Sequence, residues 1–477
     1  MLCRICTGRY GRNQVLKTGV ALVVMLAVSG CMLGPDYVRP EQAVPEAFAA
    51  ADGWKVAQPG RADAGNWWAN FDDPVLAALL QQLEQDNQNL IAAEAAWREA
   101  RAALGGSRSA LYPQLDAQAG DTRAQQAGGD IGNNRNVQLG LGWQLDVWGQ
   151  VRRQVEAGQA RLDASAADWA ALRLSQQSLL AQNYIQLRSL DEQLRITAAN
   201  IDAYQRVLRI SENRYQAGMV TRADVSQALT QLKSTEAQQL DLHSQRARSA
   251  HAIAVLLGRP ASGFGLAAVD GLPAMPALPQ TLPSSLLERR PDIAAAEQRV
   301  MAANAEIGVA KTAYFPTFGF SASGGYRADA WSGLISTPNR FWSLGPQLDL
   351  RLFDAGARRA KLQQAEAAYD QQVAGYRQAT LEAIAEVEDT LVQLASLEQE
   401  YAVQAEALES ARDALRLIEN QYAAGLVDFT VVSNAMTTAH SAERTLLGLQ
   451  ASRLTASVQL ISALGGGWDA ADTPTAQ

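Results

Sequence analysis

The chain has 477 residues, 48% of them hydrophobic and 19% charged, with a formal net charge of −8 at neutral pH. Arg4, Arg9, Arg12 and Lys17 are the only charged residues among the first thirty, so the remainder carries −12. An acidic chain without a basic stripe argues against nucleic-acid binding, and this length would hold two or three ordinary domains if the elements were not interleaved by a repeat.

Residues 1–30 read as an export signal: a basic stretch to Lys17, an apolar run from Val20 to Val28 too short to span a bilayer, then Ser29, Gly30 and Cys31. Small residues before a cysteine resemble a bacterial lipobox, which makes Cys31 the acylated first residue of the mature chain. Several acyl chains anchor firmly where one binds only marginally. Met32 in place of an acid at the next position favours the outer membrane by analogy with lipoprotein sorting. Cys3 and Cys6 leave with the signal, so the mature chain has no disulfide to form. Residues 31–86 then form an extended, lipidated segment ending in a short helix from Pro74 to about Gln85.

From residue 87 the chain states one unit twice, as 87–258 and 292–464. At an offset of 203, Leu90, Glu94, Gly105, Ala110, Tyr112 and Pro113 align with Ile293, Glu297, Gly308, Ala313, Phe315 and Pro316. Gln144, Leu145 and Asp146 match Gln347, Leu348 and Asp349 at the same offset. Further on the offset is 207, and the change requires a small insertion near the second strand hairpin. Each unit begins with a helix and continues as a hairpin, 114–146 and 317–352. In the first hairpin Val137, Leu139, Leu141, Trp143 and Leu145 alternate with Asn136, Gln138, Gly140, Gly142 and Gln144. In the second, Trp342, Leu344, Pro346, Leu348, Leu350 and Leu352 alternate with Ser343, Gly345, Gln347, Asp349 and Arg351. Strands apolar on one face and polar on the other suit a transmembrane barrel. A barrel in lipid needs about eight strands or more, because open edges leave backbone groups unpaired. Four strands therefore demand partner chains; two copies give eight and three give twelve, and the pattern does not choose.

A long helix follows each hairpin, to residue 216 and to residue 423. Leu180, Leu187, Leu194, Ile201, Leu208 and Tyr215 recur every seventh residue, as do Val387, Leu394, Tyr401, Leu408, Leu415 and Tyr422. Such spacing predicts left-handed supercoiling against neighbouring helices. Gly218 and Gly425 stop these helices at matching turns, Thr221 with Asp224 reads as a capping box, and return helices run from Arg222 to Leu257 and from Phe429 to Leu464. The Pro-rich stretch 259–291 is a linker and 465–477 a tail. His243, His251 and His440 lack metal-ligand spacing, and no phosphate loop or nucleophile elbow occurs. The reading is therefore not an enzyme, with no cofactor and no metal.

In these features the chain resembles the TolC-like outer-membrane factors, in their lipoprotein branch. Cys31 followed by Gly34, Pro35, Asp36, Tyr37 and Pro40 is similar to that branch's N-terminus. Trp67, Trp68, Phe71, Asp73, Pro74 and Leu76 resemble its next block. Arg290, Pro291, Asp292 and Ile293, and the closing Leu464, Gly465, Gly466, Gly467 and Trp468, are similar too. The resemblance implies a mainly α fold with a membrane β part: a homotrimer whose twelve-stranded β-barrel continues into a twelve-helix tunnel. It implies passive efflux of small molecules across the outer membrane of a Gram-negative bacterium. The partners it implies are outer-membrane lipid, a periplasmic adaptor and an inner-membrane transporter, of RND type in this branch. It further implies a tip closed by polar contacts, with Tyr422 opening the second turn's Tyr-x-x-Gly and Asp224 its partner acid. Val431, Asn434 and Val427 stand where relatives carry charged residues, which leaves Asp428 as the nearest acid for a ring. The alternatives are a periplasmic coiled-coil adaptor or scaffold lipoprotein, which needs no lipid-facing strands, and a type I secretion duct.

Overall fold

A computed structural model describes residues 32–41, 66–125, 131–276 and 290–466. The signal stretch, Cys31, part of the linker and the tail from Gly467 lie outside the described residues. The described elements are helices α1 (Pro74–Asp86) and α2 (Gln88–Ser109), strands β1 (Gln114–Gln125) and β2 (Ile131–Leu145), and helices α3 (Gln150–Gln216) and α4 (Arg222–Leu256). After the linker come α5 (Pro291–Thr312), β3 (Thr317–Ala328), β4 (Arg340–Asp349), α6 (Ala357–Ala423) and α7 (Phe429–Ala463). Both α3 and α6 have 67 residues, both α4 and α7 have 35, and both α2 and α5 have 22. The duplication is thus a duplication of elements. Among the described residues no helix is long and apolar enough to cross a membrane.

The chain forms two compact units, each drawing on both repeats. The first comprises residues 1–41, 96–165 and 295–377 and holds one antiparallel sheet in the order β1-β2-β3-β4. Two features of its register depart from the sequence expectation. Gln114 faces Gly142, whereas its counterpart Thr317 faces Asp349, so the shift from β2 to β4 is already 207 and the insertion lies in the loop between β3 and β4. The counterparts of Gln144, Leu145 and Asp146 are then Arg351, Leu352 and Phe353, and Gly149 and Gly356, both at positive φ, mark the same bend. The local identity at an offset of 203 is a coincidence of composition. The second departure is that β4 ends at Asp349 rather than Leu352, because the ladder of β3, which starts at Thr317, gives it no partner beyond that point.

Long-helix starts are capped by carboxylates. Asp146 accepts from the backbone N–H groups of Val151 and Arg152, at 2.9 and 3.0 Å, and Asp354 accepts from Gly356 and Arg358, each at 3.1 Å. These bonds satisfy amides that the first helical turn leaves without partners. The same unit straps residues 32–41 in place. Leu33 N–H donates to the Trp148 carbonyl, the buried Arg153 guanidinium donates to the Leu33 carbonyl and to Asp36, and Asn304 donates to the Pro35 carbonyl. Gly34 and Gly308 make this possible, since a Cβ on Gly34 would stand 2.5 Å from the Gly308 Cα.

The second unit comprises residues 42–95, 166–294 and 378–477. Asp73 caps α1 through Val75 and Leu76, and Leu76, Leu79, Leu80 and Leu83 fall on one helical face. They pack with Leu180, Tyr184, Leu187, Ile253, Leu257, Leu454 and Val458. Each leucine contributes about 2 kcal/mol by leaving water. The Tyr184 hydroxyl donates to Asp73 at 2.7 Å, and burial, reinforced by that bond, pushes its pKa up to about 12. A second cluster joins Ile201 and Tyr204 of α3, Ala228 and Leu232 of α4, Tyr422 of α6, and Phe429, Val432 and Met436 of α7.

Candidate channel wall and helical tip

Direct pairing puts side chains on one face of a sheet, so the register sorts the strands into two surfaces. On one face lie Leu115, Ala117, Ala119, Val137, Leu139, Leu141, Trp143, Leu145, Phe318, Phe320, Trp342, Leu344 and Leu348. Several are wide open in the chain, Leu139 at 55% and Trp342 at 75%. From Val137 to Leu145 this apolar band runs roughly 27 Å along the strand, at about 3.4 Å per residue. It ends toward the loops in a polar rim: Arg135 bonds Asp121 at 3.2 Å and the Asp329 carbonyl, and the Trp331 indole donates to the same Asp121. The opposite face is polar, with Gln138 donating to Gln118 and the Ser323 and Ser343 hydroxyls 2.8 Å apart. Strands β1 and β4 each have one unpaired edge. Among the described residues, the single chain thus leaves a broad apolar face exposed and two strand edges bare.

The turns between outgoing and returning helices have the same backbone twice. Gly218 N–H bonds the Tyr215 carbonyl and Met219 N–H the Arg214 carbonyl; Gly425 and Leu426 do the same with Tyr422 and Gln421, all at 2.9 Å. Positive φ at both, 73° and 77°, is why glycine stands there. The side chains differ. Tyr422 is 5% exposed while its counterpart Tyr215 is 46% exposed. Its hydroxyl lies 3.2 Å from the Ser211 hydroxyl, its ring lies 4.4 Å beneath the Arg214 guanidinium, and Arg214 donates to the Tyr422 carbonyl at 2.8 Å. Ile418 and Gln421 occupy the positions matching Ser211 and Arg214, so the second repeat cannot offer this seat to Tyr215.

Of the expected tip residues, the structure does not bring Asp224 to Tyr422 within one chain. The Asp224 carboxylate accepts from the backbone N–H and hydroxyl of Thr221, at 2.8 and 2.7 Å, completing the capping box. Those bonds hold its pKa below the usual carboxylate value. Asp428 is the N-cap of α7, exposed, and its side chain makes no capping bond. Ser211 and Arg214 were not legible as tip residues from their spacing. Cys31 lies outside the described residues, but its neighbour Met32 rests against Gly149, at the foot of β2.

A sheet with one apolar and one polar face, attached to long paired helices that turn at glycines, defines a class of outer-membrane duct subunits. The model of the family described as "Outer membrane efflux protein" matches residues 79–259 and again 282–466, once per repeat, and the chain belongs to this family. It is 32% identical over 459 residues to the pyoverdine export outer membrane protein OpmQ of Pseudomonas aeruginosa, covering 92% of this chain and 96% of that one. It is 29% identical to the cation efflux system protein CusC of Escherichia coli, over 93% and 97% of the two chains. Among solved structures it resembles the outer-membrane channel OprN with a TM-score of 0.85 and 31% identity, over 92% of this chain and all of that one. The open state of the Neisseria gonorrhoeae MtrE channel matches with a TM-score of 0.81 and 28% identity, over 93% of this chain and 100% of that chain. The protein is an outer-membrane efflux channel subunit of a Gram-negative bacterium, and its relatives are channels rather than enzymes.

Proposed function

We propose that three copies close into a twelve-stranded barrel and a helical duct that conducts small molecules passively outward. The supporting observation is the four-stranded sheet with an apolar face and two bare edges, since one chain alone cannot seal a hole in lipid. In this reading residues 1–30 are removed, Cys31 carries acyl chains, and the strap that holds Met32 beside Gly149 sets that anchor at the foot of the barrel wall. Energy comes from an inner-membrane transporter of RND type, coupled through a periplasmic adaptor at the helical tip. The names of the relatives, pyoverdine export, cation efflux and toluene efflux, span unlike cargoes. This suits a duct whose selectivity rests with its partners. Tyr422, Asp224 and Asp428 form the tip, where three copies of Asp428 ring the inner mouth of the duct and the seat of Tyr422 sets the resting aperture.

The test is to purify the full chain in detergent, measure its mass by analytical ultracentrifugation and insert it into planar bilayers. Trimers with stepwise ion conductance are expected. A monomer that leaves the bilayer impermeable overturns the reading.

A further inference from the structure

The duplication specifies how the two bare edges meet. Strands β1 and β3 correspond with a shift of 203, and β2 and β4 with a shift of 207. Within the chain β2 pairs with β3, the second strand of one hairpin beside the first strand of the next, with Leu145 opposite Phe318 and Trp143 opposite Phe320. Between copies the same step places β4 beside β1. The counterpart of Leu145 is Leu352 and that of Phe318 is Leu115.

Resting on the trimer reading above, we propose that in the assembly β4 continues through Leu350, Arg351 and Leu352 and pairs antiparallel with β1 of a second copy. Leu352 lies opposite Leu115 of that copy, Arg351 opposite Asp116, and Leu350 opposite Ala117. Four observations carry this register. Leu352 and Leu115 are 86% and 68% exposed in the chain, and the segment after Asp349 has no strand to pair with. The apolar side chains Leu348, Leu350 and Leu352 fall on the same face as Leu115, Ala117 and Ala119. Arg351 and Asp116 fall together on the polar face, and neither side chain has a hydrogen bond or ion pair among the described residues. Opposite charges facing one another across strands stabilise a pair, and like charges destabilise it. The competing register, with a shift of 203 for both strands, fails on this count: it sets Arg340 opposite Arg123 and leaves Leu350 to Leu352 bare.

The experiment introduces Leu352→Cys with Leu115→Cys into the full lipoprotein, whose Cys31 thiol is consumed by acylation. Oxidation is expected to give disulfide-linked dimers and trimers on denaturing gels, because directly opposed residues lie within disulfide reach. Each single variant and the pair Leu348→Cys with Leu115→Cys are expected to stay monomeric there. In parallel, Asp116→Arg and Arg351→Asp should each lower the temperature at which the trimer dissociates, and the double exchange should restore it. A trimer that cross-links only through the Leu348 pair, or that shows neither the Leu352 cross-link nor the rescue, overturns the register and leaves the trimer standing. Unmodified protein that sediments as a monomer removes the trimer reading itself.

Discussion

Tyr422 shows how a residue can be legible while its partner is not. Its place in the seven-residue series and the Tyr-x-x-Gly turn marked it, but its hydroxyl meets Ser211 across a separation of 211 residues, which leaves no local trace in a sequence. Asp224 lies three residues from the Thr221 amide and hydroxyl, so that bond forms with little loop-closure entropy and occupies the carboxylate. The energies rank the tip variants. Tyr422→Phe removes one bond worth about 1 kcal/mol. Arg214→Ala removes a stacked guanidinium and its carbonyl bond, about 2 kcal/mol together. Asp224→Ala removes a cap worth about 1 kcal/mol within one helix. Single-channel recording should therefore find the largest rise in conductance with Arg214→Ala, a smaller one with Tyr422→Phe, and the least with Asp224→Ala; a reversed order would refute the seat as the resting clamp. His440 adds a pH dependence nearby. Its buried Nε2 has no partner, and its ring stands edge-on to Tyr204, which Gln231 bonds from α4. Burial lowers its pKa, partly opposed by Glu443, itself bound to Arg412 of α6. A histidine held neutral in the fold takes up its proton more readily when unfolded, so stability is lost as pH falls through the ordinary histidine value toward the lower folded one. The protection of α7 amides, measured as hydrogen exchange relative to the intrinsic rate at each pH, should fall between pH 7 and pH 5, and His440→Phe should remove that fall.

At the scale of elements, most of the plan was readable because it is written in periods. Heptads gave α3 and α6, alternation gave the strands, and glycines gave both turns. The register of β4 was misread for a physical reason: three matching residues weigh little beside a bend that needs glycine at positive φ, and Gly149 and Gly356 align only at the larger shift. The strap of residues 32–41 was also invisible, since it depends on Arg153 being buried at 1% exposure against a helix far along the chain. That strap makes a sharp prediction. A methyl group at Gly308 would lie 2.9 Å from both the Arg153 side chain and the Leu33 carbonyl. Gly308→Ala should cost about 1 to 3 kcal/mol through overpacking, and the N-terminal segment should be cut faster by protease while the helices stay intact.

For the whole molecule, the two faces of the sheet make unequal demands. Leu139→Arg places a charge on the apolar band and should cost about 2 to 4 kcal/mol per copy at mid-depth. Gln138→Arg, one residue away on the polar face, should leave outer-membrane trimers intact and alter only ion selectivity. Fractionation followed by unheated gels compares the two, and equal losses would contradict the assignment of faces. The duplicated tip carries a last consequence. Every subunit offers a visitor two lips with one backbone and different linings, Met219 above an uncovered Tyr215 and Leu426 above a seated Tyr422. A protein shaped to grip one lip would meet an altered replica 207 residues later, and titration of such a visitor onto the rim should then resolve two classes of foothold, strong ones filled first and weak ones after.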